Sequence, residues 1–439
     1  ANKVVYQIFP SRFAATEPVD KELWYKAPIT PMDDLHGNLR GIIEHMDDIQ
    51  NLGIDVLYMT PIFQSNSCHK YDTTDYYQID PSFGTTEDLK ELVQKAHERG
   101  MKVVLDAVYN HTGREFFAFA DILENGEKSK YRDWYFIDGF PLKSEWGEIP
   151  NFKCFGYYGG MPKLNLKNPE VEKYITDVAC YWIKECDIDG WRLDVGDEIS
   201  HFFWKNFRKA VKAVKKDMLI IGEIWHYAGD FLEGDEWDTV MNYPFYLNLI
   251  DLLADEKITV SQFVQNLGYL KGRLHKNCYP LMWNLIDSHD TARFLHLCND
   301  NKKKQHLAAA FQLLLPGMPM IYYGDEYAMP GANDPDCRRG MYWDEEYQDK
   351  EMYEWYKRLI QVRKSHACIV EGELAGIVTE DEEGTVVLIR KNGEETIAMI
   401  FNCSSSAKQF NEYTQKYNLL TENTFDGNVE GFDAAVIVL

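Results

Sequence analysis

The 439 residues are 45% apolar and 26% charged, the balance of an ordinary folded protein, and the length allows two or three domains. Lys and Arg number 46 against 70 Asp and Glu, a net charge of −24 that repels phosphate backbones and anionic lipid and so disfavours nucleic acid and membrane surfaces as partners. No apolar run reaches membrane-spanning length, and the nearest, 307–323, is broken by Gln312, Pro316 and Pro319.

Short β-branched or apolar runs alternate along the chain with amphipathic stretches. The predicted strands are 4–8, 56–60, 102–106, 190–194, 219–223, 239–242, 281–286 and 319–323, and the helical stretches between them include 86–99, 169–186, 201–214 and 302–315. Thr86, Glu87 and Asp88 mark one helix start and Gly100 its end. Eight strand–helix pairs predict an α/β fold with a parallel sheet. A (β/α)8 TIM-type barrel is the leading architecture, and a doubly wound sheet is the alternative that periodicity does not separate from it.

Two stretches depart from the repeat. Residues 112–163, rich in Tyr, Phe, Gly and Pro, are far more than one crossover needs and predict an irregular inserted subdomain over the barrel mouth. After a helix over 347–366 the pattern turns to short strands at 376–378, 385–390, 396–401 and 434–438, with Asn392-Gly393 as a hairpin signal. The expected domains are a barrel of residues 1–111 and 164–369, the insertion, and a C-terminal antiparallel β-sandwich over 370–439.

A barrel of this type keeps its active site at the C-terminal strand ends, so the residues that end strands matter most. Strand three ends in Asp106, with Asn110 and His111 beyond; strand four in Arg192 and Asp194; strand five in Glu223; strand seven in His289 and Asp290. Several acids without a His/Cys ligand set fit chemistry at a neutral carbon–oxygen bond. In glycoside hydrolysis one carboxylate meets the sugar cation while a second, kept protonated by its neighbours, releases the leaving oxygen. Arg192, two residues before Asp194, shares its face of the strand and favours its ionised form.

At these residues the chain resembles the α-amylase family of glycoside hydrolases. The resemblance rests on Asp106-Ala-Val-Tyr-Asn-His111, Gly190-Trp-Arg-Leu-Asp194, Gly222-Glu-Ile-Trp225 and Asp287-Ser-His-Asp290 in order, with the strand-two segment from Gly53 to Pro61. It implies a nucleophile at Asp194, a general acid/base at Glu223 and a transition-state-stabilising acid at Asp290. It implies that Arg192 supports Asp194, that His111 and His289 bond the sugar, and that Tyr71 stacks on its ring. Asp106 and Asn110 are implied to be structural.

Within the family, Met161-Pro-Lys-Leu-Asn165, the segment His69 to Asp75 and the segment Asn333 to Arg338 resemble the neopullulanase, cyclomaltodextrinase and maltogenic amylase group. That likeness implies further sugar contacts from His69, Glu198, Asp334 and Arg338, with Trp225 on the leaving-group side. Two departures stand out. After Asp194 the chain reads Val-Gly-Asp-Glu198, where the group usually reads Val-Ala-Asn-Glu and true α-amylases carry Lys-His. The missing His removes part of the usual calcium site, so no cofactor is required and calcium is not indicated. The group also usually carries an N-terminal β-sandwich that shapes its dimer, whereas this sequence opens directly on strand one; a monomer or weak oligomer is expected.

The expected activity is a retaining α-glucan hydrolase cleaving α-1,4, with α-1,6 also open, in maltooligosaccharides, cyclodextrins or pullulan. A transglycosylase or α-1,6-glucosidase uses the same acids, and a non-catalytic carbohydrate-binding protein uses the same barrel. Nine irregularly spaced cysteines and an opening without a signal-peptide pattern predict a cytoplasmic protein with reduced thiols. The glycosylation patterns at Asn110 and Asn402 are read as accidental.

Overall fold

The computed structural model describes residues 2–143 and 147–439. Eight parallel strands form the central sheet: β1 (Val5–Ile8), β2 (Val56–Met59), β3 (Lys102–Ala107), β4 (Gly190–Leu193), β5 (Leu219–Gly222), β6 (Thr239–Val240), β7 (Trp283–Asn284) and β8 (Met318–Tyr322). Their order is β6-β5-β4-β3-β2-β1-β8-β7, every neighbouring pair parallel, and a parallel bridge between Met241 and Trp283 closes the ring. The fold is the barrel, not the doubly wound sheet.

Strand alternation decides what the barrel holds. Val5, Val56, Tyr58, Val104, Ile221, Trp283 and Met320 form the interior cluster, while Tyr6, Leu57, Val103, Leu105 and Ile220 pack outward against helices. Continuing the inward phase places Asp106 and Arg192 above that apolar plug, at the C-terminal rim.

Helix ends explain the register of the outer layer. The helix Thr86–Glu98 starts where the sequence predicts, and its cap is Thr85, whose side chain accepts from the Asp88 N–H while Asp88 reaches back to the Thr85 N–H. Pro169 opens Pro169–Cys186 behind an Asn168 cap, and Ser200 caps His201–Val214.

Between β3 and β4 lie the helix Phe117–Asn125 and several single turns, packed around the buried Phe119, whose ring meets Tyr135 edge-on at 5.0 Å and Phe152 at 5.1 Å. The segment rejoins the rim where the Leu164 N–H donates to the Asn110 carbonyl at 3.0 Å. Beyond residue 372 the chain forms a six-stranded antiparallel sheet led by Glu373–Glu380, Thr385–Asn392 and Glu395–Asn402, the last two joined at Asn392-Gly393. Phe401 from that sheet stacks on Phe311 at 4.2 Å, fixing it to the barrel helix Lys302–Leu314.

No helix among the described residues is long and apolar enough to cross a membrane. All nine cysteines are free. Asn110 and Asn402 are fully buried, and the Asn402 amide donates to the carbonyls of Ser406, Val429 and Glu430, so neither is accessible to glycosylation in the fold.

Candidate active site

One guanidinium organises the rim. Arg192 is fully buried; its Nη1 donates to both Asp106 oxygens and to Asp194 Oδ1 at 3.0 Å, and its Nη2 lies 2.8 Å from Glu223 Oε1. Asp106 is held from the other side by the hydroxyls of Tyr58 (2.7 Å) and Tyr71 (2.9 Å). Glu223 is aimed by two neighbours: the Val195 N–H donates to Oε2 at 2.9 Å and Trp225 Nε1 to Oε1 at 3.3 Å. Val195 makes that bond from φ +45°, a left-handed conformation a β-branched residue rarely adopts, so local strain is stored where the acid is positioned.

Above this floor opens a cleft of about 510 Å³ lined by Asp194, Glu223, Asp290, Tyr71, His111 and Trp225. His69, Asp334 and Arg338 also line it. Arg338 Nε donates to the His289 carbonyl at 2.7 Å, while its Nη2 sits 3.4 Å from both Asp290 and Asp334. A donor chain runs beneath: the Gln7 amide meets His289 Nδ1 at 2.6 Å, His289 Nε2 meets the Tyr71 hydroxyl at 2.5 Å, and that hydroxyl donates to Asp106. Tyr71 and His289 stack nearly parallel, 5.6 Å apart.

The twelve residues picked out by sequence fall into three places. Nine line the cleft. Arg192 and His289 lie just under it, fully buried, and act through the groups they hold. Glu198 is placed elsewhere: its Oε2 pairs with Lys163 Nζ at 3.0 Å and accepts from the Asn110 amide at 3.1 Å, beside a separate surface hollow. Lys163 Nζ also donates to the Glu198 carbonyl at 3.0 Å and to Asn110 Oδ1. An ammonium thus fills the point on which these oxygens converge, and they do not fit calcium, which needs six to eight oxygen ligands and no competing cation.

Five other residues line the cleft that the sequence did not single out as site residues: Phe155, Met161, Val195, Asp197 and His226. Phe155 stacks on His111 at 5.4 Å, and Asp197 Oδ2 meets His226 Nε2 at 3.2 Å across the mouth. The odd Gly196 also finds a reason, since a Cβ there would stand 2.8 Å from the Trp237 ring. Gly222, the last residue of β5, faces the same indole, 2.2 Å from such a Cβ, so at both positions the backbone lies against Trp237 with no room for a side chain unless the ring shifts.

Three carboxyls touch the Arg192 guanidinium and a fourth, Asp290, lies within reach of its charge in the same site. Burial is the largest influence on each and pushes Asp106, Asp194, Glu223 and Asp290 upward; the Arg192 charge opposes it, and repulsion from Glu223 adds to the rise at Asp194. The set therefore retains a proton above the ordinary carboxylate range, as a property of the group rather than of one member. Burial also pulls His111 down to about 4 and His289 well below its usual value, so both imidazoles are neutral hydrogen-bonding groups at physiological pH.

A family model for the alpha-amylase catalytic domain matches residues 7–372. A cyclomaltodextrinase of Geobacillus thermopakistaniensis is 47% identical over 410 residues, 92% of this chain and 69% of that protein. Neopullulanase 2 of Thermoactinomyces vulgaris is 43% identical over 405 residues, 91% of this chain and 69% of its own. Among solved structures, the cyclic α-maltosyl-(1→6)-maltose hydrolase of Arthrobacter globiformis superposes with a TM-score of 0.90 at 35% identity, covering 100% of this chain and 98% of the other.

Proposed function

The chain belongs to the α-amylase family of glycoside hydrolases, and from that premise we propose a retaining mechanism on neutral α-glucan oligosaccharides with Asp194, Glu223 and Asp290 as the catalytic acids. The observation that carries the assignment is the single Arg192 guanidinium touching Asp194 and Glu223 together at the base of the cleft. Asp194 attacks the anomeric carbon as Glu223 gives its proton to the departing glycosidic oxygen, leaving a glycosyl ester on Asp194. Water then bonds to that carbon, Glu223 takes the water's proton, and the ester bond to Asp194 breaks. Asp290, oriented by Arg338 and His289, holds sugar hydroxyls as the ring flattens. His111 and the Tyr71 ring complete the subsite of the sugar that is attacked, and Asp334 and Arg338 grip its neighbour on the non-reducing side.

The relatives' names point to α-1,4 bonds in cyclodextrins and maltooligosaccharides, with α-1,6 bonds within reach of the same acids. We place no metal in the cycle, because Lys163 supplies the cation between Asn110 and Glu198. The net charge of −24 favours neutral sugars over nucleic acid or membrane partners, and nine unpaired thiols suit a reducing, cytoplasmic setting.

The test is a product profile on maltoheptaose, β-cyclodextrin, pullulan and panose, with Asp194→Asn as control. Maltose and panose release that disappears in the variant is the expected result. Turnover that persists in Asp194→Asn would overturn the nucleophile assignment, and no turnover of any of the four would overturn the α-glucan reading.

A further inference from the structure

The cleft does not end at Trp225. A second hollow of about 410 Å³ continues from it, and Trp225 and His226 line both. Trp225 is 42% exposed and lies flat on Tyr243, with ring centroids 4.1 Å apart, so it forms the sill between the two spaces. On the far side, Leu247 and Tyr269 present apolar surface at 45% and 67% exposure. They come from separate helices, Tyr243–Leu249 and Val260–Arg273.

Tyr269 is not a loose surface ring. The Arg273 guanidinium lies 3.8 Å over Tyr227 and 5.1 Å over Tyr269, and its Nη1 donates to the Tyr269 hydroxyl at 3.3 Å. The Tyr227 hydroxyl in turn donates to the Arg273 carbonyl at 2.8 Å. Two rings are thereby locked around one planar cation, so ordering Tyr269 against a ligand costs little conformational entropy. Asn248 and Asn266, which bond to each other at 2.8 Å, and Asp251 add polar groups along the same hollow. Apolar faces with a polar edge are the chemistry that a pyranose presents in reverse: flat C–H faces and a rim of hydroxyls.

We infer that this groove, with Leu247 and Tyr269 as its contact surfaces, binds the distal glucosyl units of an α-glucan on the leaving-group side of the scissile bond. The occupant follows from direction. Trp225 donates to Glu223, the acid that protonates the leaving oxygen, so the space past Trp225 receives the departing chain. Asp334 and Arg338 hold the opposite side, next to Asp290. The inference rests on the acid/base role proposed for Glu223. It makes chain length on the reducing side a determinant of turnover, and it gives an acceptor sugar a place to wait for the glycosyl ester.

The experiment compares two substrates. Maltoheptaose can fill the groove; 4-nitrophenyl α-maltoside carries no sugar beyond the cleaved bond. Tyr269→Ala is expected to lower kcat/KM on maltoheptaose about five- to tenfold, the size of one lost ring contact, while changing nitrophenyl maltoside less than about twofold. Leu247→Ala shifts the ratio in the same direction, and Tyr269→Phe, which keeps the ring, retains wild-type selectivity. Equal losses on both substrates, or an unchanged rate on maltoheptaose, would overturn the groove while leaving the catalytic assignment standing. A wild-type enzyme inactive on both would overturn the glucanase reading and the groove with it.

Discussion

Glu326 offers a measurable consequence of burying a carboxyl just past a barrel strand. It follows β8, is 2% exposed, and has two neutral partners: the Tyr6 hydroxyl donates to Oε1 at 2.6 Å and the Gly324 N–H to Oε2 at 2.9 Å. Burial pushes it from 4.5 to about 7. Its folded-state value is raised, so the folded protein binds this proton more tightly than the unfolded chain does. Its stabilising contribution is full below pH 4.5 and is lost as pH rises towards 7. Ionising it in place costs about 3 kcal/mol. Glu326→Gln removes the ionisation while its amide oxygen still accepts from Gly324 and its NH2 faces Tyr6. Other titrating groups, such as Asp433 at about 6, are common to both proteins and cancel in the difference. The measurement is the melting-temperature difference between variant and wild type from pH 5 to 8. It is expected to be near zero at pH 5 and to favour the variant by about 4 °C at pH 8. A difference that stays flat with pH, or a variant less stable at pH 8, would refute the burial argument.

Four further outcomes follow from the site. Asp194→Asn lowers kcat by several orders of magnitude, and proton NMR of the first product formed by the wild type shows the α-anomer; an initial β-product would exclude a retaining cycle. Arg192→Met leaves buried carboxylates without their cation and costs about 3–5 kcal/mol of stability at neutral pH, read as a melting shift that shrinks in acid as the carboxyls protonate. Chelator leaves activity unchanged, whereas Lys163→Met uncouples Asn110 from Glu198 and lowers the melting temperature; full inhibition by chelator, reversed by calcium, would contradict the lysine's place. Because burial pulls His111 down to about 4, a loss of kcat/KM between pH 7 and 5 does not come from this imidazole and persists in His111→Asn, at whatever reduced rate that variant retains.

Eight barrel strands and the acids that end them were legible because strand alternation and strand-end chemistry are local. Asp106, Arg192 and Asp194 could be assigned to one rim from their positions within two short runs. What escaped notice depends on pairs far apart in the chain. Glu198 looked like a sugar ligand by its place after Asp194, but its partner Lys163 lies 35 residues upstream on the far end of the insertion. Nothing in either local sequence announces that an ammonium will stand between them. Asp197 and His226 meet across 29 residues and two different strand ends, which no local pattern encodes.

The proposed leaving-side groove is invisible in the sequence for a related physical reason. Leu247 and Tyr269 are exposed residues on amphipathic helices, and an isolated exposed apolar residue carries no signal, since folded surfaces are rich in apolar atoms. The meaning comes from what the barrel brings beside them: the Trp225 sill, the shared His226 and the Arg273 clamp. Local sequence therefore specifies the acids, which stand at the ends of short strands whose alternation sets the face they share. On the groove proposed above, selectivity among glucans is carried by side chains of the helices Tyr243–Leu249 and Val260–Arg273, beyond the end of β6, and it becomes readable only when the barrel has closed.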